Sequence, residues 1–131
     1  MAHSILVVDD EPNIVLSLEF LMTQAGHDVR VARNGEQALK AVAEAKPDLI
    51  LLDIMMPDPD GFSVCKSIRD EPNLADIPII MLTAKGRDSE RERGLAVGAT
   101  DFITKPFSNQ EVVERVDALL SGGKPAGVSL S

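Results

Sequence analysis

Three aspartates stand directly after two apolar segments of the chain. Asp53 follows the residues Leu-Ile-Leu-Leu at 49–52, and Asp9 and Asp10 follow Ile-Leu-Val-Val at 5–8. Short continuous apolar runs are typical of strands buried on both faces of a parallel sheet, and ligands bind at the carboxyl ends of such strands. If the two strands are neighbours, the carboxylates converge, and like charges about 4 Å apart repel by roughly 4 kcal/mol at an effective dielectric of ~20. The cluster therefore requires a cation, a shared proton or a lysine.

Two further predicted strand ends carry groups that complement the acids. Thr83 and Ala84 follow the apolar run at 79–82, and Lys105 ends the segment 101–105. Three carboxylates can hold Mg²⁺, a hard cation that prefers oxygen ligands. The metal and Lys105 would flank a phosphoryl group, the Thr83 hydroxyl and an adjacent backbone N–H would bind its remaining oxygens, and one carboxylate would serve as nucleophile. Each residue alone is equally typical of a surface loop, so the interpretation depends on their combination.

These side chains depend for their positions on a regular alternation of apolar strands and amphipathic helices. We predict strands near 4–9, 28–32, 48–53, 77–83 and 101–105, and helices near 12–25, 35–45, 61–71, 88–97 and 108–120. Such alternation predicts an α/β fold, in which a parallel sheet carries helices on both faces.

Residues at the predicted helix ends agree with this assignment. Pro12 suits the first turn of a helix, and Gly26 suits the position after its end. Asn34 is expected to cap the second helix, and the residues Ser-Asn-Gln-Glu at 108–111 fit a capping box at the fifth. The two aspartates of the segment 58–60 lie beside proline and glycine, so we interpret them as turn residues.

Composition limits the classes of function. The 131 residues are enough for one domain, and a hydrophobic fraction of 44% argues against global disorder. The net charge of -8 disfavours direct contact with nucleic acid, which requires a basic surface. We expect no membrane segment, because no apolar run approaches about 18 residues, and the single cysteine, Cys65, suits a cytoplasmic location. The two histidines, His3 and His27, are not spaced as a metal-binding pair.

Several short motifs make the chain resemble the receiver domain of two-component response regulators. They are Asp9-Asp10, Asp53 with Met56-Pro57, Thr83-Ala84 and Lys105-Pro106-Phe107. The resemblance extends over residues 4–120 and is closest to the receivers of dimerising DNA-binding regulators. It implies a flavodoxin-like (βα)5 domain at 1–121 with strand order 2-1-3-4-5. Residues 122–131 would form a flexible tail or the start of a linker.

The resemblance implies a role for each residue of the cluster. Asp53 would accept a phosphoryl group from a histidine kinase or a phosphotransfer protein. Asp10, Asp53 and the Met55 carbonyl would bind Mg²⁺, and Asp9 would lie close by or act through water. Lys105 would contact the phosphoryl oxygens, and its bond to the following proline would be cis. Because a receiver catalyses only its own phosphorylation and the slow loss of that phosphate, we do not expect an enzyme acting on other substrates.

The resemblance also implies a switch beside the acceptor. On phosphorylation, Thr83 would move toward the phosphoryl group, whose oxygens the Ala84 N–H would also bind. Phe102 would turn inward; it occupies the position of a tyrosine often found in the family but lacks the hydroxyl. Inward packing is therefore expected without the hydrogen bond that this hydroxyl would make.

A signalling face would be formed by the fourth helix, the fifth strand and the fifth helix. Its charged residues are Arg91, Asp101, Glu111 and Arg115. In a self-paired dimer, Arg91 would meet Glu111 and Asp101 would meet Arg115, each pair occurring twice about a two-fold axis. Exposed ion pairs contribute only about 0–1 kcal/mol each, so the sequence leaves open whether this face dimerises or binds a downstream protein.

Three other functions are compatible with parts of this pattern. A phosphatase with an aspartyl nucleophile would need a second acid two residues after Asp53, where the chain has Met55. A flavin or nucleotide binder would need glycines in the first strand–helix turn, but residues 9–12 read Asp-Asp-Glu-Pro. A receiver that only docks, without phosphorylation, would not need the complete acceptor set.

Overall fold

The computed structural model describes residues 3–84 and 88–122, and in this part of the chain five strands alternate with five helices. The elements are β1 (Ser4–Val8), α1 (Pro12–Gln24), β2 (Asp28–Ala32), α2 (Gly35–Glu44), β3 (Leu49–Asp53), α3 (Gly61–Asp70), β4 (Ile79–Ala84), α4 (Asp88–Val97), β5 (Asp101–Lys105) and α5 (Asn109–Leu120). The predicted alternation is confirmed. The predicted tail at 122–131 lies outside the described residues from position 123 onward.

The five strands form one parallel sheet in the order β2-β1-β3-β4-β5, as the resemblance implied. Val8 of β1 is level with Leu52 of β3, so the residues that follow each of them reach the same edge of the sheet. On the other side of β3, Asp53 is level with Leu82 of β4. The register therefore brings the carboxyl ends of β1, β3 and β4 together, which is where open α/β sheets bind ligands.

The side chains of β3 alternate between two hydrophobic clusters on opposite faces of the sheet. Ile50 and Leu52 pack with α2 and α3, whereas Leu49 and Leu51 pack with α1 and α5. All four side chains are completely buried, and each such burial stabilises the fold by about 1.5–3 kcal/mol. The central strand is thus held from both faces, and this fixes the position of Asp53 at its end.

Side-chain caps begin two of the helices where the sequence predicted them. The Asn34 carboxamide oxygen accepts a hydrogen bond from the Gln37 N–H at 2.8 Å. The Ser108 hydroxyl accepts one from the Glu111 N–H at 3.1 Å, which is half of the predicted capping box. The Glu111 carboxylate instead pairs with Arg115 at 3.3 Å. Caps of this kind contribute about 1 kcal/mol each.

The helix α4 is attached to the sheet differently from the other helices. Of its ten residues, all of which the structure describes, the buried ones are Glu90 and Gly94. A Cβ added at Gly94 would lie 2.7 Å from a ring carbon of Phe102 and 2.9 Å from the sulfur of Met81. A glycine therefore allows the close approach of α4 to the sheet, without an apolar side chain of its own between them.

The C-terminal end of α4 is tied to α3 by polar contacts. The Arg69 guanidinium donates to the carbonyl of Gly98 at 2.8 Å and to the Thr100 hydroxyl at 3.2 Å. The Cys65 thiol contacts the carbonyl of Val97 at 3.4 Å. Burial raises the pKa of this thiol above its ordinary value, so Cys65 acts as a packed core residue rather than as a nucleophile.

Candidate functional site

The three predicted acids meet at the carboxyl edge of the sheet. Asp9, Asp10 and Asp53 each offer a carboxylate oxygen, and these oxygens lie within 4.8 Å of one another. Asp9 and Asp53 are buried, with 0% and 2% of their surface exposed, whereas Asp10 is exposed. The convergence predicted from the two apolar runs is confirmed, and the exposed acid leaves the cluster open to solvent on one side.

Lys105 enters the cluster from the end of β5. Its ammonium lies 2.9 Å from an oxygen of Asp9, 3.3 Å from one of Asp53 and 3.2 Å from one of Glu11. The bond from Lys105 to Pro106 is cis, as the resemblance implied. One ammonium thus serves three carboxylates, so its charge compensates the cluster only in part.

Two backbone donors complete the first layer of contacts. The Glu11 N–H donates to Asp9 Oδ1 at 2.9 Å, and the Met55 N–H donates to Asp53 Oδ1 at 3.2 Å. The second oxygen of Asp53, Oδ2, is buried and has no hydrogen-bond partner among the residues that the structure describes. A buried acceptor without a partner costs about 1–3 kcal/mol, so this oxygen is suited to an electrophile: a metal ion or a phosphorus atom.

Burial perturbs the protonation of the central pair. Burial, followed by the charge of Asp9, raises the pKa of Asp53 to about 6, although Lys105 and the Met55 N–H act in the opposite direction. Burial also acts to lower the pKa of Lys105, but its contacts with Asp9, Asp53 and Glu11 outweigh it and hold that pKa above its ordinary value. At neutral pH the site therefore contains a charged lysine and a predominantly ionised aspartate.

The loop after β3 is shaped by a glycine. A Cβ at Gly61 would overlap the backbone of Asp53 and Ile54, so only glycine allows α3 to begin this close to the end of β3. Asp60 caps α3 by accepting a hydrogen bond from the Ser63 N–H at 2.9 Å. The bond between Asp58 and Pro59 is also cis, which the sequence did not predict. Asp60 thus has a structural role at the start of α3, and the interpretation of Asp58 as a turn residue stays a prediction.

The predicted switch residues Thr83 and Phe102 are buried. Thr83 and Phe102 have 1% and 2% of their surface exposed. The ring of Phe102 therefore already lies inward, and a change of its position on phosphorylation stays a prediction. The Ala84 N–H donates to the carboxylate of Glu90 at 3.4 Å, a contact between β4 and α4 that sequence analysis missed.

Residues 5–117 match the family described as response regulator receiver domain. The chain belongs to this family. Receiver domains are signalling domains of two-component systems, and the acid cluster with Lys105 occupies the edge of the sheet that the apolar runs predicted.

The receiver is similar to proteins with different outputs. Over 129 residues it is 46% identical to the alkaline phosphatase synthesis transcriptional regulatory protein PhoP of Bacillus subtilis, with coverage of 98% of this chain and 53% of PhoP. The chain thus spans about half the length of this curated relative. The signal receiver domain of a signal transduction histidine kinase from Syntrophus aciditrophicus has a TM-score of 0.87 and 35% identity, with 99% of each chain covered. The chemotaxis protein CheY4 of Vibrio cholerae has a TM-score of 0.85 and 31% identity, covering 89% of this chain and 98% of that one.

The charged residues of the predicted signalling face make polar contacts within the chain. The Arg115 guanidinium donates to Asp101 at 3.0 Å and lies 3.3 Å from Glu111. Arg91 donates to the hydroxyl of Thr104 at 3.0 Å. Asp101 and Arg115 were predicted to pair across a two-fold axis, but the structure shows that they meet within one molecule, where Asp101 is completely buried. The interchain pairs stay predictions.

Three features of the receiver were missed by sequence analysis. Glu11 contacts Lys105, and Glu90 contacts Ala84. No local sequence pattern predicts either contact. His3 and His27, set aside for their spacing, lie side by side with ring centroids 5.7 Å apart. Over the described ranges, however, the acid cluster is the one group of three or more metal-ligating side chains. No helix in those ranges is both long enough and apolar enough to span a bilayer.

Proposed function

We propose that the receiver accepts a phosphoryl group on Asp53 from a phosphohistidine of a histidine kinase or phosphotransfer protein. The observation that carries this proposal is the buried Asp53 Oδ2 at the ligand-binding edge of the sheet, which has no hydrogen-bond partner within residues 3–84 and 88–122. In this reaction the Asp53 oxygen forms a bond to phosphorus while the bond from phosphorus to the donor imidazole breaks. The electron pair returns to the imidazole nitrogen, and an aspartyl phosphate remains.

The neighbouring residues suit the charge that this reaction brings. Lys105, already 3.3 Å from Asp53, would contact a phosphoryl oxygen. The hydroxyl of Thr83 and the N–H of Ala84 would bind the others. Asp10, Asp53 and the Met55 carbonyl would hold Mg²⁺, with Asp9 alongside, and the ion would neutralise negative charge on the transferring group. The three converging carboxylates fit such an ion, as does Asp53 Oδ2, which no other described residue contacts by a hydrogen bond.

The first test is phosphorylation by a small-molecule donor. Incubated with acetyl phosphate and Mg²⁺, the protein is expected to gain one phosphoryl group that hydroxylamine removes. EDTA should suppress the reaction, because the acid cluster then repels the anionic donor. Intact-protein mass spectrometry measures both results. A phosphorylation rate that EDTA leaves unchanged would contradict the metal requirement, and a protein that never gains phosphate would contradict the function.

A phosphatase is the weaker candidate at the same site. Met55 stands where that reaction needs a second acid, and its side chain is 59% exposed and offers no proton.

A cytoplasmic location accords with the proposed donor and with the free thiol of Cys65.

The output of the receiver is proposed to pass through α4, β5 and α5. Phosphorylation is expected to favour either self-association through this face or binding of a downstream protein. The supporting observation is that these elements carry Arg91 and the ion pairs of Arg115 with Asp101 and Glu111. Such ion pairs would set the register of an interface while apolar contacts supply its affinity.

Sedimentation velocity distinguishes the two outputs. If the face dimerises, the phosphorylated protein should sediment as a dimer at micromolar concentration, and Arg115→Glu should return it to a monomer. Arg33→Glu, an equal charge reversal at an exposed position between β2 and α2, should not. Thermal unfolding of Arg115→Glu must confirm that its fold survives the loss of the Asp101 contact. A monomer in both phosphorylation states would instead favour a downstream protein.

A further inference from the structure

The carboxylate of Glu11 contacts Lys105 rather than the helix that Glu11 precedes. Glu11 is the N-cap residue of α1, yet its side chain makes no capping hydrogen bond. Its carboxylate instead lies 3.2 Å from the ammonium of Lys105, while 62% of the side chain stays exposed to solvent. The backbone of Glu11 has a separate task, since its N–H donates to Asp9. A change of the side chain alone therefore leaves that support of the cluster intact.

This carboxylate affects the acceptor site in two ways. It adds a fourth negative charge to those of Asp9, Asp10 and Asp53, at the side of the cluster that is open to solvent. It also takes a share of Lys105, the cation expected to meet the phosphoryl oxygens. Both effects oppose an incoming anion, because like charges at a site lower the local concentration of an anionic ligand.

We propose that Glu11 is a positioning residue that restrains Lys105 and slows phosphorylation by small anionic phosphodonors. The inference rests on Asp53 as the acceptor. With acetyl phosphate, the Asp53 oxygen bonds to phosphorus as the bond from phosphorus to the acetate oxygen breaks, and acetate leaves with the electron pair. Glu11 takes no part in these bonds; it determines how freely Lys105 and the donor come together.

The test compares Glu11→Gln with the wild-type protein at saturating Mg²⁺ and low ionic strength. The variant is expected to react with acetyl phosphate about 3- to 10-fold faster, because one repulsive charge is gone and Lys105 is released. The difference should shrink at ~1 M salt, where the Debye length falls to about 3 Å. Mg²⁺ should bind the variant about 2-fold or more weakly, because a nearby negative charge is lost. A faster reaction together with weaker metal binding is not the signature of a merely structural residue.

Two matched variants act as controls. Glu19→Gln removes the same charge from an exposed position of α1 and should leave the rate unchanged. Glu11→Asp keeps the charge but shortens its reach toward Lys105, so its rate should lie between those of wild type and Glu11→Gln. If the wild type is phosphorylated but Glu11→Gln reacts no faster than the wild type, the inference is wrong and the proposed function stands. The same holds if Glu19→Gln reacts as fast as Glu11→Gln. If the wild type gains no phosphate, both are wrong.

Discussion

Replacement of Asp53 by asparagine is expected to abolish phosphorylation while the fold stays intact. The carboxamide has the same shape as the carboxylate but lacks the anionic oxygen that attacks phosphorus. The loss should be complete, because both oxygens of Asp9 are engaged, by the Glu11 N–H and by Lys105, and Asp10 is exposed, whereas Asp53 Oδ2 has no partner among the described residues. Mass spectrometry after incubation with acetyl phosphate and Mg²⁺ measures the result.

Two matched substitutions show whether this loss is specific. Asp58→Asn and Asp60→Asn lie in the loop after β3, outside the acid cluster, and both should still be phosphorylated. Asp60 caps α3, and asparagine is an equally good cap, so this variant should also keep its stability. Hydroxylamine-sensitive phosphate on the Asp53→Asn protein would show that another residue is the acceptor.

The second large effect concerns stability in the absence of Mg²⁺. Burial raises the pKa of Asp53 from 3.8 to about 6, a difference of about 3 kcal/mol between its two protonation states. The folded protein therefore binds a proton more tightly than the unfolded chain does. This contribution to stability is fully present below pH 3.8 and is lost as the pH rises through about 6.

At pH 7.5 in EDTA, the free energy of unfolding of Asp53→Asn should consequently exceed that of the wild type, by an amount on the order of 3 kcal/mol at most. The advantage should disappear as the pH is lowered toward 4. Urea unfolding of both proteins at several pH values measures the difference, with Asp58→Asn expected to follow the wild type. Mg²⁺ should reduce the advantage, because it stabilises only the folded wild-type site. Parallel stability curves for Asp53→Asn and wild type would contradict the prediction.

The sequence predicted the parts of the fold that depend on local pattern. The run at 49–52 is apolar at every position, because β3 is covered on both faces, and this made the strand and its terminal Asp53 recognisable. Short-range caps such as Asn34 were equally readable. The ends of the strands were predicted less well. The predicted strand at 77–83 begins only at Ile79, because Pro78 has no N–H to donate.

The contacts that the sequence could not predict join distant parts of the chain. Glu11 meets Lys105 across a separation of 94 residues. Arg115 meets Asp101 within one molecule, whereas the resemblance had implied this pair only between two molecules. Periodicity reports which face of an element is buried, but it carries no information about which charged side chains meet at an edge. The resemblance predicted an acceptor set, yet it did not show that Lys105 is shared with Glu11. These pairings depend on how the strands and helices meet in three dimensions.

Because α4 contacts the sheet through a glycine, we expect this helix to open at a lower free energy than the domain as a whole needs to unfold. The free energy needed to open a segment depends on the apolar surface that it exposes, and α4 buries Gly94 and the carboxylate-bearing Glu90 rather than large apolar side chains. Arg69 donates a hydrogen bond to the carbonyl of Gly98 and holds the C-terminal end of α4 in place. Displacement of the N-terminal end of α4 breaks the contact of Glu90 with Ala84, and it leaves closed the hydrophobic cluster on the face of the sheet that α1 and α5 cover. The element proposed to report phosphorylation can thus rearrange for a small fraction of the global unfolding free energy, while the strand that holds Asp53 stays rigid.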